Sequence, residues 1–211
     1  MSLLAPTLIQ RICIMLFLAL QAPNILNAEE VRWIRTPDVV YVGTPYDLIS
    51  KMLKMAQVKK SDRVYDLGCG DARMLILAAQ KYGSKGKGYD IDPERVKISR
   101  ENVARNKVEH LVRIHQADIF TLDLKEADVI PLYLLPEMNT KLLPQLEKLK
   151  PGSRIVCHQY QLEGIIPDDT VTVTSYEDHA VHTLYLYTTP LKRNVASGER
   201  SDASIKAGSR N

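Results

Sequence analysis

Cysteine is scarce: the 211 residues hold three, Cys13, Cys69 and Cys157. Their separations fit no zinc spacing, so Cys69 and Cys157 are expected to be reduced packing residues, and neither a metal site nor a disulfide framework is expected. An excess of one charge is also missing. Lys and Arg number 28 against 25 Asp and Glu, a formal net charge of +3. The basic residues are spread out, with no Lys/Arg run interleaved with aromatics, which argues against a nucleic-acid groove. The apolar run Ile12 to Leu20 reaches about half of the roughly twenty residues that span a bilayer, and no internal repeat is visible.

What is present is ordinary for a globular domain, with 45% hydrophobic and 25% charged residues. Residues 1–28 read as a signal peptide or a membrane anchor: Arg11, the apolar run, then a polar stretch closing on Ala28. Residues 29–191 are expected to form one domain. Residues 192–211 turn to Ser, Gly, Ala, Arg and Lys and are expected to be a disordered tail.

The domain is organised around Arg63 to Arg73. Val64, Tyr65 and Leu67 favour a strand, Gly68 and Gly70 allow a tight turn, and Met74, Leu75, Leu77 and Ala78 continue at helical spacing. A helix N-terminus aimed at such a turn suits a carboxylate or phosphate. The dinucleotide fingerprint would put a third glycine at position 73, where this chain has Arg73, so a pyrophosphate is disfavoured. Asp66 closes the strand where a carboxylate meets a cationic amino group. Lys87 to Asp92 reads as a second strand ending in acid, the position from which Asp90 reaches ribose hydroxyls.

Pro93 to Asn106 reads as a helix and Leu111 to His115 as a third strand, followed at once by Asp118. His115 is expected to be structural. Ala127 to Pro136 is a fourth, apolar strand, then a helix from Glu137 to Leu149 with a stop at Lys150-Pro151-Gly152. Ser153 to Tyr160 is a fifth strand. Thr170 to Tyr176 and Val181 to Tyr187 alternate like an antiparallel pair; His179 and His182 near its turn make a poor metal site. Upstream, Thr44 as N-cap, Pro45 at the first helical position and Asp47 at the third predict a helix start.

Asp66-Leu67-Gly68-Cys69-Gly70, Tyr89-Asp90-Ile91-Asp92 and Gln116-Ala117-Asp118 together resemble the class I S-adenosylmethionine-dependent methyltransferases over about Tyr41 to Tyr187. The resemblance implies an α/β fold: a Rossmann-like, doubly wound, mostly parallel seven-stranded sheet with a C-terminal antiparallel hairpin. It implies S-adenosyl-L-methionine as cofactor, with Asp66, Gly68, Cys69 and Gly70 at its amino-acid end, Asp90 and Ile91 at the ribose, and Asp118 and Ile119 at the adenine. The segment before the first helix would fold over the cofactor, with Tyr41 as lid and Thr44 as a polar contact. Ala72 departs from the third glycine that many members carry. Leu132-Tyr133-Leu134-Leu135-Pro136 stands where members acting on planar amides carry a polar-Pro-Pro-aromatic motif, which disfavours that substrate class.

A tighter resemblance is to small mitochondrial protein-lysine methyltransferases, those that modify the membrane ring of the ATP synthase or the adenine nucleotide translocase, and to bacterial relatives. It rests on the Tyr-Val-x-Thr-Pro segment, the Asp-Leu-Gly-x-Gly-Asp turn, the Leu-Tyr-Leu-Leu-Pro strand end and the apolar N-terminal segment. It implies a protein substrate, with a membrane protein as the candidate; no nucleic-acid or metal partner is expected, and the oligomeric state stays open with a monomer favoured. The apolar segment then suggests an exported or membrane-associated protein, and cofactor supply argues for the cytoplasmic side of a membrane. The catalytic candidates are Tyr133 and His158, with Glu137 behind them, because an amine acceptor must lose a proton before it attacks. Two other readings stay open: a non-catalytic cofactor-binding module or small-molecule methyltransferase, and a nicotinamide oxidoreductase, against which Arg73 stands.

Overall fold

The computed structural model describes residues 34–194. Five strands lie parallel: β1 (Arg63–Leu67), β2 (Lys85–Asp90), β3 (Val112–Gln116), β4 (Val129–Leu132) and β5 (Arg154–His158). The antiparallel pair β6 (Asp169–Thr174) and β7 (Val181–Thr188) completes a seven-stranded sheet in the order β3-β2-β1-β4-β5-β7-β6. The order reverses between β1 and β4, the switch point at which such sheets open a ligand crevice. Only Val64 and Val129 pair across it, and Pro131, inside β4, has no N–H to lend a ladder.

Burial explains the strand composition. β4 is buried throughout and β1 nearly so, as expected of parallel strands covered on both faces, whereas the edge strand β6 alternates Thr and Val with its threonines facing solvent. Side chains of β1 alternate between two cores. Val64 packs with Leu53, Leu75 and Val96 on one face; Tyr65 and Leu67 pack with Leu142, Leu146 and Tyr187 on the other. The first core is closed by α1 (Tyr46–Met55), α2 (Arg73–Tyr82) and α3 (Pro93–Arg105), the second by α4 (Pro136–Leu146).

Several boundaries move for local reasons. β2 ends at Asp90 because Asp92 caps α3, accepting the Glu94 N–H at 2.8 Å ahead of Pro93. α4 ends at Leu146, short of the expected Leu149, two residues past Pro144, which cannot donate to the preceding turn. At the C-terminal side, Lys192 pairs with Asp168 and Arg193 with Glu147. The expected leader, residues 1–28, and the tail from residue 195 onward lie outside the described residues.

The expected cap of α1 is replaced. Pro45, not Thr44, precedes the first helical residue, and no side chain of the adjoining segment caps it. Instead Glu177, in the turn between β6 and β7, accepts the N–H groups of Tyr46 and Asp47 at 3.0 and 2.9 Å. Asp47 returns the bond, accepting the Ser175 hydroxyl and the Tyr176 N–H at 3.0 Å each. A carboxylate also favours the positive end of the helix dipole. Glu177→Ala is expected to destabilise the fold by about 1 kcal/mol, the usual worth of a cap, and Glu177→Gln by less; urea unfolding of the two variants measures both.

Candidate functional site

The cleft forms at the switch point between β1 and β4. β1 delivers Asp66 to its floor, and the chain then turns through Gly68, Gly70 and Ala72 with φ of 80°, 58° and 65°. Glycine reaches this region freely, whereas Ala72 carries a side chain there and is fully buried at the start of α2. The small residue does fit where the third glycine was missed. The turn is tied to the next strand by the Tyr89 carbonyl, which accepts the N–H of Gly68 and of Cys69 at 2.8 and 3.0 Å. Asp90 accepts the N–H of Gly70 at 2.9 Å and that of Asp92 at 3.0 Å, one on each oxygen. A carboxylate has about four acceptor positions, so Asp90 can still receive hydroxyls from the cleft.

Two adjoining cavities follow the sheet edge. Gly68, Tyr41, Val42 and Tyr133 line both; Asp66 and Thr44 belong to one, Asp90, Ile91 and Ile119 to the other. Asp118 caps the turn Ile119–Thr121 by accepting the Phe120 N–H at 3.0 Å. Asp66 and Asp90 thus face two adjoining cavities, whereas Asp118 lines neither and borders the second through its partner Arg35 and its neighbour Ile119. Cys69 faces inward, 3.8 Å from Ser99, whose hydroxyl donates to the Gly70 carbonyl at 2.7 Å. Its thiol is pushed up by burial first and then by Asp66 and Asp90, so it is neutral and inert. Cys69 shapes the loop through its backbone.

The electrostatics are those of a site built for a cation. Burial, then Asp90 and Asp71, raise Asp66 to about 7. Burial likewise raises Asp90. Asp118 is held low by the hydrogen bond from Arg35, whose Nε lies 2.8 Å from Oδ2, while Arg35 also reaches Asp38 at 2.7 Å. Asp66 and Asp90 await positive charge or hydroxyls; Asp118 already has a guanidinium.

A strap of chain, residues 35–44, crosses the cleft. The Tyr41 ring lies on Gly70 so closely that a Cβ there would fall 2.0 Å from Cε2, and Arg95 stacks over the same ring at 4.9 Å. Arg73 grips Asp71 at 2.7 Å, donates to the Thr44 carbonyl at 3.2 Å and packs against Gly43. The arginine that broke the dinucleotide fingerprint is therefore the strap's anchor. Thr44 is buried beneath it and contributes a carbonyl to that anchor rather than a cap to α1.

Tyr133 follows β4 and lines both cavities. His158, at the end of β5, packs beneath it with ring centres 3.9 Å apart. His158 is buried, and burial, followed by His182, lowers it to about 4. Its Nε2 is 2.9 Å from Nδ1 of His182, whose own Nε2 is 3.1 Å from Asp178. Sequence reading placed His182 near a turn without acid company. The β6–β7 pairing folds Asp178 back onto it. Glu137 is exposed on the first turn of α4.

A family model described as the ANTKMT methyltransferase domain matches residues 66–169. A protein-lysine N-methyltransferase from Saccharolobus islandicus is 39% identical over 153 residues, 72% of this chain and 94% of that protein. A lysine N-methyltransferase from Xenopus laevis, described as acting on the ATP synthase, is 28% identical over 133 residues, 61% of this chain and 56% of that protein. Among solved structures, one from Salinibacter ruber described as an RNA methyltransferase in complex with S-adenosyl-L-homocysteine superimposes with a TM-score of 0.67 at 41% identity, covering 71% of this chain and 94% of that one. With a carboxylate at each of three successive strand ends and a glycine turn between the first two, the chain belongs to the S-adenosylmethionine-dependent methyltransferases, in the family of the ANTKMT methyltransferase domain.

Proposed function

We propose that this enzyme methylates the ε-amino group of a lysine in a protein. The proposal is carried by a relative matched over nearly its whole length, with the charge of the cleft beside it. The charges acting on buried Asp66 are those of Asp90 and Asp71, both negative; at the rim Arg35 is paired with Asp38 and Asp118 and Arg73 with Asp71, while Arg95 stacks on Tyr41. The buried acids suit the cationic ends of S-adenosylmethionine. The relative from Saccharolobus islandicus, matched over nearly its whole length, is described with the same acceptor class.

In this reading Gly68, Cys69 and Gly70 cradle the amino-acid end of S-adenosylmethionine, and Asp66 meets its ammonium. Asp90 takes the ribose hydroxyls, with Ile91 and Ile119 against the apolar faces of the nucleoside. Asp118 receives the adenine once Arg35 yields it, and Tyr41 and Thr44 hold the strap closed. The bound cofactor supplies a methyl group already activated by a sulfonium charge. What the protein adds is alignment in a dry site, worth about 7 to 11 kcal/mol in favourable intramolecular cases, with Tyr133 at the reacting end. A membrane protein as acceptor, and residues 1–28 as the anchor that brings the enzyme to it on the cytoplasmic side, belong to the same proposal; no helix among the described residues is long and apolar enough to cross a membrane.

A second reading, an RNA acceptor, is favoured by the description of the Salinibacter ruber protein. Incubating the enzyme with labelled S-adenosylmethionine and a membrane fraction separates the two. Label that survives ribonuclease, is lost to protease and appears as methyl-lysine on hydrolysis is the expected outcome; label removed by ribonuclease overturns the lysine assignment.

The buried acid gives a pH signature. Asp66, raised to about 7, is largely protonated at pH 6, whereas a cationic ligand binds its ionised form, so binding releases a proton. Affinity for S-adenosylhomocysteine is expected to rise about tenfold from pH 6 to pH 8, and Asp66→Asn should flatten that slope; calorimetry in two buffers of different ionisation enthalpy measures the proton released.

A further inference from the structure

One polar cluster lies behind the cleft and takes no part in the cofactor contacts assigned above. Asp178, in the β6–β7 turn, is exposed; His182 stands on β7; His158 ends β5 and is buried under the Tyr133 ring. The distances 3.1 Å from Asp178 to His182 and 2.9 Å from His182 to His158 make a continuous chain from the surface to Tyr133.

The exposed end fixes the direction of the chain. The Ala180 N–H, and then His182, hold Asp178 below the usual carboxylate range, so it is ionised and can only accept. With one proton on its ring, His182 carries it on Nε2 and presents a bare Nδ1. His158 in turn must donate through Nε2, which leaves its own Nδ1 bare. That Nδ1 is one of four buried side-chain polar atoms without a hydrogen-bond partner among the described residues. A fold normally avoids burying an acceptor this way. The groups facing His158 are His182 and Asp178, with Tyr133 on its ring face, and Tyr160 acts on Tyr133 from beyond β5. Asp178 is ionised, and burial keeps His158 neutral.

We propose that Asp178 and His182 lock His158 in its Nε2–H tautomer, and that the locked ring holds Tyr133 in position for methyl transfer while keeping Nδ1 as a free acceptor behind the reacting centre. His158 and His182 are then positioning residues that act through Tyr133. The effect on rate follows from alignment, since displacing a contact at the reacting end by an ångström can cost a hundredfold. Acid breaks the chain: a second proton on either imidazole sets donor against donor between His158 and His182.

The test compares the full-length enzyme with Asp178→Ala and Asp178→Asn. Alanine removes the acceptor that orients His182, whereas the asparagine oxygen still accepts from Nε2–H. Asp178→Ala is expected to lower the turnover of labelled-methyl transfer five- to twentyfold with S-adenosylhomocysteine affinity within twofold of the parent, and Asp178→Asn to stay within threefold. Nitrogen-15 NMR of the ring should place the His158 proton on Nε2 in the parent and divide it between tautomers in Asp178→Ala. Turnover within twofold for Asp178→Ala, or a parent His158 protonated on Nδ1, overturns the proposal. The inference rests on methyl transfer and not on lysine as acceptor: label in RNA would defeat the proposed function while these readouts still decide this one.

Discussion

A buried pair of carboxylates, Asp66 and Asp90, to which the arginines of the cleft give no ion pair among the described residues, is the constraint from which the rest of this structure follows. Burying one ionised acid is costly, and burying Asp66 within the field of Asp90 and Asp71 costs more, which is why its proton affinity climbs to about 7. The fold bears the strain with backbone donors. Gly70 and Asp92 give their N–H groups to Asp90, Phe120 gives its own to Asp118, and the glycine turn is kept in place by the Tyr89 carbonyl. What those bonds leave unsatisfied is charge. A sulfonium nucleoside with an ammonium group provides that charge and the hydroxyls besides, so the site's strain and its ligand are complementary.

The same logic accounts for the arginines. Arg35 sits on Asp118 and Arg73 on Asp71, each neutralising an acid that the cleft would otherwise leave bare. Arg73 also carries the strap, through Thr44 and Gly43, and Tyr41 rests on a Gly70 that can bear no Cβ. Glu177 then links the first helix behind the strap to the β6–β7 turn. One continuous set of contacts thus joins the cofactor turn, the strap and the hairpin that bears Asp178.

Local pattern carried the sequence reading as far as local physics reaches. The strand, glycine turn and helix around Asp66, the acids at the ends of β2 and β3, and the antiparallel final pair were legible because each is written within a dozen residues. Contacts made across the chain were not. The cap of α1 comes from about 130 residues away and displaced the local reading of Thr44. Arg73 was seen only as a glycine missing from a motif, because its partner carbonyl at Thr44 lies on a strap whose path no periodicity reveals. His182 looked isolated since the register that sets it beyond the end of β5, two residues from Leu184, is decided by sheet pairing.

The acceptor is harder to read than the cofactor, and the reason is physical. Two relatives at 39% and 41% identity are described with different acceptors, a protein lysine and RNA. Identity at that level therefore tracks the machinery that every member needs, the acid-lined edge, rather than the mouth. The family match from residue 66 to 169 spans the cofactor half and stops before β7. Outside it lie the strap, with Val40 and Val42 exposed, and the hairpin that holds Tyr176, Val181, Asp178 and His182. The strap borders Tyr133 in the cleft, and Glu177 of the hairpin turn accepts the Tyr46 N–H just behind it. On the proposed function, acceptor choice is to be sought in these two segments rather than in the acid-lined edge that relatives with different described acceptors share.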